Sequence, residues 1–131
     1  MKKALILRWL VNEETKTIIA SISLTDAPDA EKDNLKFFYD KIECQMIDVV
    51  RFDGFDAFCD DEGLLTSGNA VIEYSHGDFK VPIAGNLVFT NGVDNMGRTL
   101  WFDDRNPDDM VTMSIIHMMI EEAEVKGVSC G

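Results

Sequence analysis

The sequence predicts a single α+β domain over residues 1–131, a mainly antiparallel sheet with one helix after an N-terminal hairpin and one C-terminal helix. Three observations predict it. Short runs of β-branched and aliphatic residues alternate with turn signals, apolar residues recur at helical spacing over 35–42, and a longer apolar stretch from Met110 to Lys126 has helical character.

The elements follow in order. "ALILRWLV" (4–11) and "KTIIASISL" (16–24), separated by the polar "NEET", read as a β-hairpin. In "TDAPDAEKDNLKFFYDKIEC", Asp26 or Asp29 suits a helix cap, and Leu35, Phe38, Tyr39 and Ile42 mark one face for packing on the sheet. "QMIDVVRF" (45–52) and "FDAFC" (55–59) flank Asp53-Gly54, a dipeptide that favours a two-residue hairpin turn. "AVIEYS" (70–75) fits a short helix or a strand. "DFKVPIAG" reads as an edge or interrupted strand because Pro82 cannot donate to a ladder, and "NLVFTNG" reads as another strand. Residues 92–109 are loop-like apart from Leu100, Trp101 and Phe102. A second helix is expected from Asp108 or Asp109 to a stop at Gly127.

The charge balance narrows the function classes. Twelve Lys and Arg face 24 Asp and Glu, a formal net charge of -12. Such a surface repels phosphate backbones, so direct nucleic-acid binding is disfavoured and a protein partner with a basic surface is favoured. Three cysteines, Cys44, Cys59 and Cys130, are widely spaced with no C-x-x-C pair, a reduced and cytoplasmic pattern. "MKKALILRWLV" is interrupted by Arg8 and reads as a first strand rather than a signal peptide, and no run reaches the ~20 apolar residues of a membrane span.

The most concentrated chemical signal is "FCDDEGLLTSGN" (58–69). An EF-hand spacing fails, since starting at Asp53 puts Phe58 at the glycine position and starting at Asp60 puts Leu65 there. A hairpin turn between "FDAFC" and "LLTS" accounts for every residue: Asp60 bonds the backbone two residues on, and Gly63 takes a positive φ. In "WFDDRNPDDM", Asp108 and Asp109 complement a helix N-terminus, leaving Asp103 and Asp104 as free loop charge. Acidic neighbours raise the Cys59 thiol, which marks it as structural rather than nucleophilic. His117 and Glu121 share a helical spacing, but two ligands without a third make no zinc site. No catalytic residue, metal ligand or cofactor is implied.

The second helix spreads its apolar residues over roughly 220° at 100° per residue, wider than one sheet face covers. Burial between the sheet and another element accounts for that arc; so does a homodimer contact through Met113, Ile116, Met119 and Ile120.

The stretches "IECQMIDVVRF", "DAFCDDEGLL" with its E-G turn, the following Asn69, and "VPIAGNLVFTNG", in that order after a hairpin and a helix, give the chain its resemblance. Over roughly residues 1–104 it resembles a family of bacteria, their phages and mobile elements, domain of unknown function number thirty-eight forty-six. Where that resemblance calls for a glycine pair before the third strand, this chain has Glu43 and Cys44, and its C-terminal helix is longer and richer in methionine. The resemblance implies a small cytoplasmic accessory protein of a mobile element or its host and transfers no catalytic residue.

The resulting expectation is a non-enzymatic interaction protein whose acidic face, drawn from Asp53, Asp60, Asp61, Glu62, Asp103 and Asp104, engages a basic protein surface. A sharper form is mimicry of nucleic-acid charge by rows of carboxylates. The rivals are a small carboxylate-based, metal-dependent enzyme or divalent-cation binder, and a structural assembly component.

Overall fold

The computed structural model describes residues 1–130. Every strand pair is antiparallel, and the strands form two sheets rather than the one expected.

The larger sheet begins with the expected hairpin, β1 (Lys2–Asn12) and β2 (Thr17–Asp26), paired without interruption from Lys3↔Asp26 to Asn12↔Thr17. A 3-10 turn (Glu31–Asp33) leads into α1 (Asn34–Ile42). Neither Asp26 nor Asp29 caps this helix: Asp26 ends β2, where its carboxylate pairs with Lys3, and Asp33 holds the cap position without a side-chain hydrogen bond. Phe38 and Ile42 are buried as the periodicity requires, while Leu35 is exposed. The next hairpin, β3 (Ile47–Phe52) and β4 (Phe55–Asp60), turns at Asp53-Gly54 with Gly54 at φ 95°.

The chain then leaves this sheet. β5 (Ser67–His76), which resolves the ambiguous 70–75 segment as strand, pairs with β6 (Phe79–Ala84) in a second, three-stranded sheet. Pro82 sits on β6 at its edge. β7 (Leu87–Thr90) returns to the first sheet between β1 and β4, and the short β8 (Phe102–Asp103) pairs with β1 beyond the end of β7.

The C-terminal helix α2 (Pro107–Glu122) starts one residue after Asn106, whose side chain caps it by accepting from the Asp108 N–H at 2.9 Å. It does not run to Gly127. Ala123 adopts an extended conformation and the chain continues as β9 (Glu124–Cys130), the second edge of the smaller sheet, paired with β5. Gly127, at φ 135°, lies inside this strand rather than at a helix stop.

Three layers result. The α1 face of the large sheet buries Ala4, Ile6 and Val88 with Phe38 and Ile42, and Phe38 stacks on Phe58 with ring centroids 4.0 Å apart. The opposite face presents Leu5, Leu7, Ala57, Leu87 and Phe89 to Ile72, Tyr74 and Ile83 of the small sheet and to α2. The indole N–H of Trp9 donates to the Tyr74 hydroxyl at 2.9 Å and ties one sheet to the other. Met113, Ile116, Met119 and Ile120, the residues expected at a homodimer contact, are buried in this intramolecular core. The exposed apolar residues of α2 are Met110, Val111, Ile115 and Met118.

Glu43 ends α1 in the left-handed conformation, φ 65° and ψ 54°, with its N–H and that of Cys44 both donating to the Tyr39 carbonyl. This is the conformation for which a glycine is the unstrained residue, and an L side chain there costs about 1–2 kcal/mol. Its carboxylate meets Arg8 at 3.6 Å and accepts from Asn86 Nδ2 at 3.4 Å, both exposed contacts that contribute little. Glu43→Gly is therefore expected to raise stability by up to about 1 kcal/mol in urea unfolding, with the m-value unchanged.

Candidate functional site

The chain crosses from one sheet to the other at Asp61–Thr66, and this crossing, rather than a hairpin turn, is what "CDDEGLLTS" encodes. Asp60 Oδ1 accepts from the Glu62 N–H at 2.9 Å, as the sequence suggests, and the N–H groups of Leu65 and Thr66 both reach the Glu62 carbonyl. The Asp61 N–H bonds the Met46 carbonyl, holding the turn against the segment before β3. From β5, Asn69 donates to the Gly63 carbonyl at 2.9 Å and to Thr66 Oγ1 at 2.8 Å.

Gly63 is required for space rather than for φ. A Cβ there would lie 2.8 Å from the Ala84 carbonyl oxygen and 3.2 Å from that of Asp60, both backbone atoms unable to swing aside. The crossing is thus pressed against the end of β6. That contact is long-range and leaves no mark in the local letters.

Between the end of α1 and this crossing lies a groove of about 340 Å³. Glu43, Cys44 and Gln45 form one bank; Asp60, Glu62, Thr66, Ser67 and Asn69 form the other. Its lining is mostly polar, with three carboxylates and no Lys or Arg, and Arg8 approaches only Glu43 from outside. Asn86 braces the same end of the molecule: its Oδ1 accepts from the Trp9 N–H at 3.0 Å, and its amide donates to the Ile42 carbonyl at 3.4 Å. Asn86 does not stand out in the sequence, where its signal is the Gly85-Asn86 pair between two strand runs.

Cys44 is the thiol that lines the groove. Burial, and then the charge of Asp60, raise the Cys44 thiol above its ordinary range. Cys59, buried on β4, is pushed up to about 12, first by burial and then by Asp48, Asp60 and Asp61. Among the described residues no three His, Cys, Asp or Glu side chains converge to hold a metal ion. His76 lies with its Nε2 3.2 Å from the Asp53 carbonyl oxygen and its ring edge-on to Phe55, while His117 lines an apolar groove beside β2.

The six acids singled out in the sequence occupy different ends of the molecule. Asp60 and Glu62 line the groove, and Asp61 is exposed on the crossing. Asp103 and Asp104 lie at the start of β1, where Asp103 pairs in register with Lys2. Registers through β7 place Asp60 level with Arg8, six residues further along β1, roughly 20 Å away at about 3.3 Å per residue. Asp53 stands on the β3–β4 turn at the other end of β4 from Asp60. The loop tip at 60–62 is therefore not adjacent to Asp103 and Asp104, and the acids form no single row of the kind that mimicry of a nucleic-acid backbone needs. Asp103 is committed locally: hydrogen bonding from the Arg105 N–H, helped by the N-terminal amine at 3.4 Å, holds its carboxyl below the usual range. Asp109 is likewise structural, accepting from Asn91 Nδ2 at 3.0 Å and from the Asp103 N–H at 2.8 Å.

Two outcomes follow. Gly63→Ala forces backbone of the crossing or of β6 to move and is expected to destabilise by about 1–3 kcal/mol in urea unfolding; Gly54→Ala, with open space around it, suffers only the strain of its φ. Cys59 keeps its proton in the fold until about pH 12 while the unfolded thiol ionises near 9, so between those values the unfolded state binds fewer protons. Stability must then fall as pH rises through that window, by about 1.4 kcal/mol per unit from this group. Unfolding of wild type and Cys59→Ala across pH 8 to 11 checks it: the Cys59→Ala profile should be flatter by about that slope.

Neither the curated proteins nor the solved structures yield a match to this chain. No helix among the described residues is long and apolar enough to cross a membrane. A family model, described as a domain of unknown function (DUF3846), matches residues 8–111, from the second half of β1 through the first turn of α2, and so takes in β2, α1, the second hairpin, the crossing at Gly63, Asn69 and the central β7. By that match, which extends over more than half its length, the chain belongs to the DUF3846 family.

Proposed function

We propose that this chain is a small, non-enzymatic protein-interaction module whose groove between the end of α1 and the β4–β5 crossing takes a Lys- or Arg-rich segment of a partner protein. The observation that carries the reading is the lining: Glu43, Asp60 and Glu62 face one concavity of about 340 Å³ that contains no cation of its own. The net charge of -12 adds a long-range field that speeds the approach of a basic partner. The crossing is held by hydrogen bonds from Asn69 and by the close approach of Gly63 to Ala84, so the acids on that bank are presented on a fixed frame. The three free thiols suit a reducing cytoplasm, and the setting fits an accessory protein of a phage or mobile element or its bacterial host.

The test is titration of the full chain with a fluorescent Lys/Arg-rich peptide at low and high salt. Binding is expected at low salt and lost at high salt. The double variant Asp60→Asn, Glu62→Gln should weaken it roughly three- to tenfold, while Asp103→Asn, Asp104→Asn changes it less. Equal weakening by both pairs means that only diffuse charge attracts the peptide, and the groove reading is then wrong. Millimolar Ca²⁺ or Mg²⁺ is expected to leave the melting temperature unchanged; a clear rise would favour a cation-binding protein instead.

A further inference from the structure

We propose that β2 is the seam of a homodimer, two copies pairing their β2 strands antiparallel about a two-fold axis normal to the large sheet. The proposal is independent of the groove.

The two sheets end in the strands β2, β3, β6 and β9, and three of these carry features that discourage pairing. On β3, Asp48 and Arg51 put charge on the strand, and the Asp48 carboxylate accepts its neighbour's N–H at 2.8 Å. β6 has Lys80 and Pro82. β9 has Glu124 and Lys126, and its ladder with β5 shifts register twice. β2 has none of these: Thr17 to Thr25 contains no charge and no proline, and its ladder with β1 runs unbroken from Thr17 to Asp26. It is long and regular, with Ile18 and Ile22 half-buried on the core face and Ile19 and Leu24 55% and 44% accessible.

The second copy is the occupant that the charges select. A chain of net charge -12 meets like charge when it approaches its twin through the acidic groove or through Asp103 and Asp104. Along Thr17–Thr25 of β2 it meets none. With the axis at Ser21, Thr17 of each copy comes level with Thr25 of the other, which brings Lys16, in the turn before β2, toward the end of the strand that carries Asp26 of the other copy. The same register keeps each residue opposite one from its own face of the sheet: Ile18 meets Leu24, and Ala20 meets Ile22, on the face that packs against α2. Beside them runs an apolar groove of about 390 Å³ between β2 and α2, lined by Leu5, Ile22, Leu24, Met110 and Met113, whose rim the partner's Ile18 would extend. The product is one continuous sheet through both copies, with the paired α2 helices on a common face.

Light scattering coupled to size exclusion on the full chain reads the outcome. The expected mass is that of two chains. Ile19→Lys, which adds a charge at an exposed edge position, should raise the dimer dissociation constant about tenfold or more while leaving the melting temperature of the monomer unchanged. Lys16→Glu, which brings an acid toward Asp26 of the other copy at both ends, should also weaken the dimer, and Ser21→Lys provides a third disruption should Ile19→Lys perturb folding. A one-chain mass at millimolar concentration overturns the proposal. So does a dimer indifferent to Ile19→Lys, Ser21→Lys and Lys16→Glu, or one broken instead by Met118→Lys on the outer face of α2.

Discussion

The burial of β7 on both faces is the constraint on which the rest of the fold depends. Leu87, Val88, Phe89 and Thr90 are all fully inaccessible, so this four-residue strand needs apolar cover above and below as well as a hydrogen-bonded strand on each side. β1 and β4 supply the neighbours. One face is closed by α1 through Val88, Phe38 and Ile42, the other by the small sheet and α2 through Leu87, Phe89, Ile72 and Ile116. A one-sided sheet carries half-buried strands with alternating letters; here the central strand reads as an unbroken apolar run because neither face sees water.

Polar side chains sit where the layers join. Trp9 and Tyr74 connect the two sheets, Asn86 connects β1 to the end of α1, and Asp109 anchors the start of α2 to β7 and β8 through Asn91 and the Asp103 N–H. Each of these groups is satisfied at a position that its neighbours fix, which gives a specific arrangement of layers that apolar burial alone does not select. The acids are then of two kinds. Asp103 and Asp109 are occupied with hydrogen bonds from the backbone and from Asn91, whereas Asp61 and Glu62 remain at the surface of a braced loop. Acidity in this chain is therefore not one property with one purpose.

Much of the fold was legible locally. Both N-terminal hairpins, the buried face of α1, the edge position of Pro82 and the Asx turn at Asp60 were readable because each depends on residues within a few positions of one another. The candidate groove was not legible. Its two banks, Glu43–Gln45 and Asp60–Asn69, meet only because β3 and β4 pair and return the chain beside the end of α1.

By itself the sequence determined the class, the hairpins, the helix faces and the acid-rich surface, since turn chemistry and side-chain periodicity act over one or two turns of chain. Tertiary structure decided how the strands divide into two sheets, because pairing β5 with β9 brings together segments about 60 residues apart. It also ended α2 at Glu122: β9 is a polar edge strand, with Glu124, Val125 and Lys126 exposed, so its letters continue a helical pattern that only the ladder to β5 interrupts. Tertiary structure likewise divided the wide apolar arc of α2, burying Met113, Ile116, Met119 and Ile120 in the core and leaving Val111, Ile115 and Met118 exposed. Gly63 shows the division most sharply. Its identity was read as a need for positive φ, but the requirement is the Ala84 carbonyl 2.8 Å from where a Cβ would stand, a contact made by a residue 21 positions away.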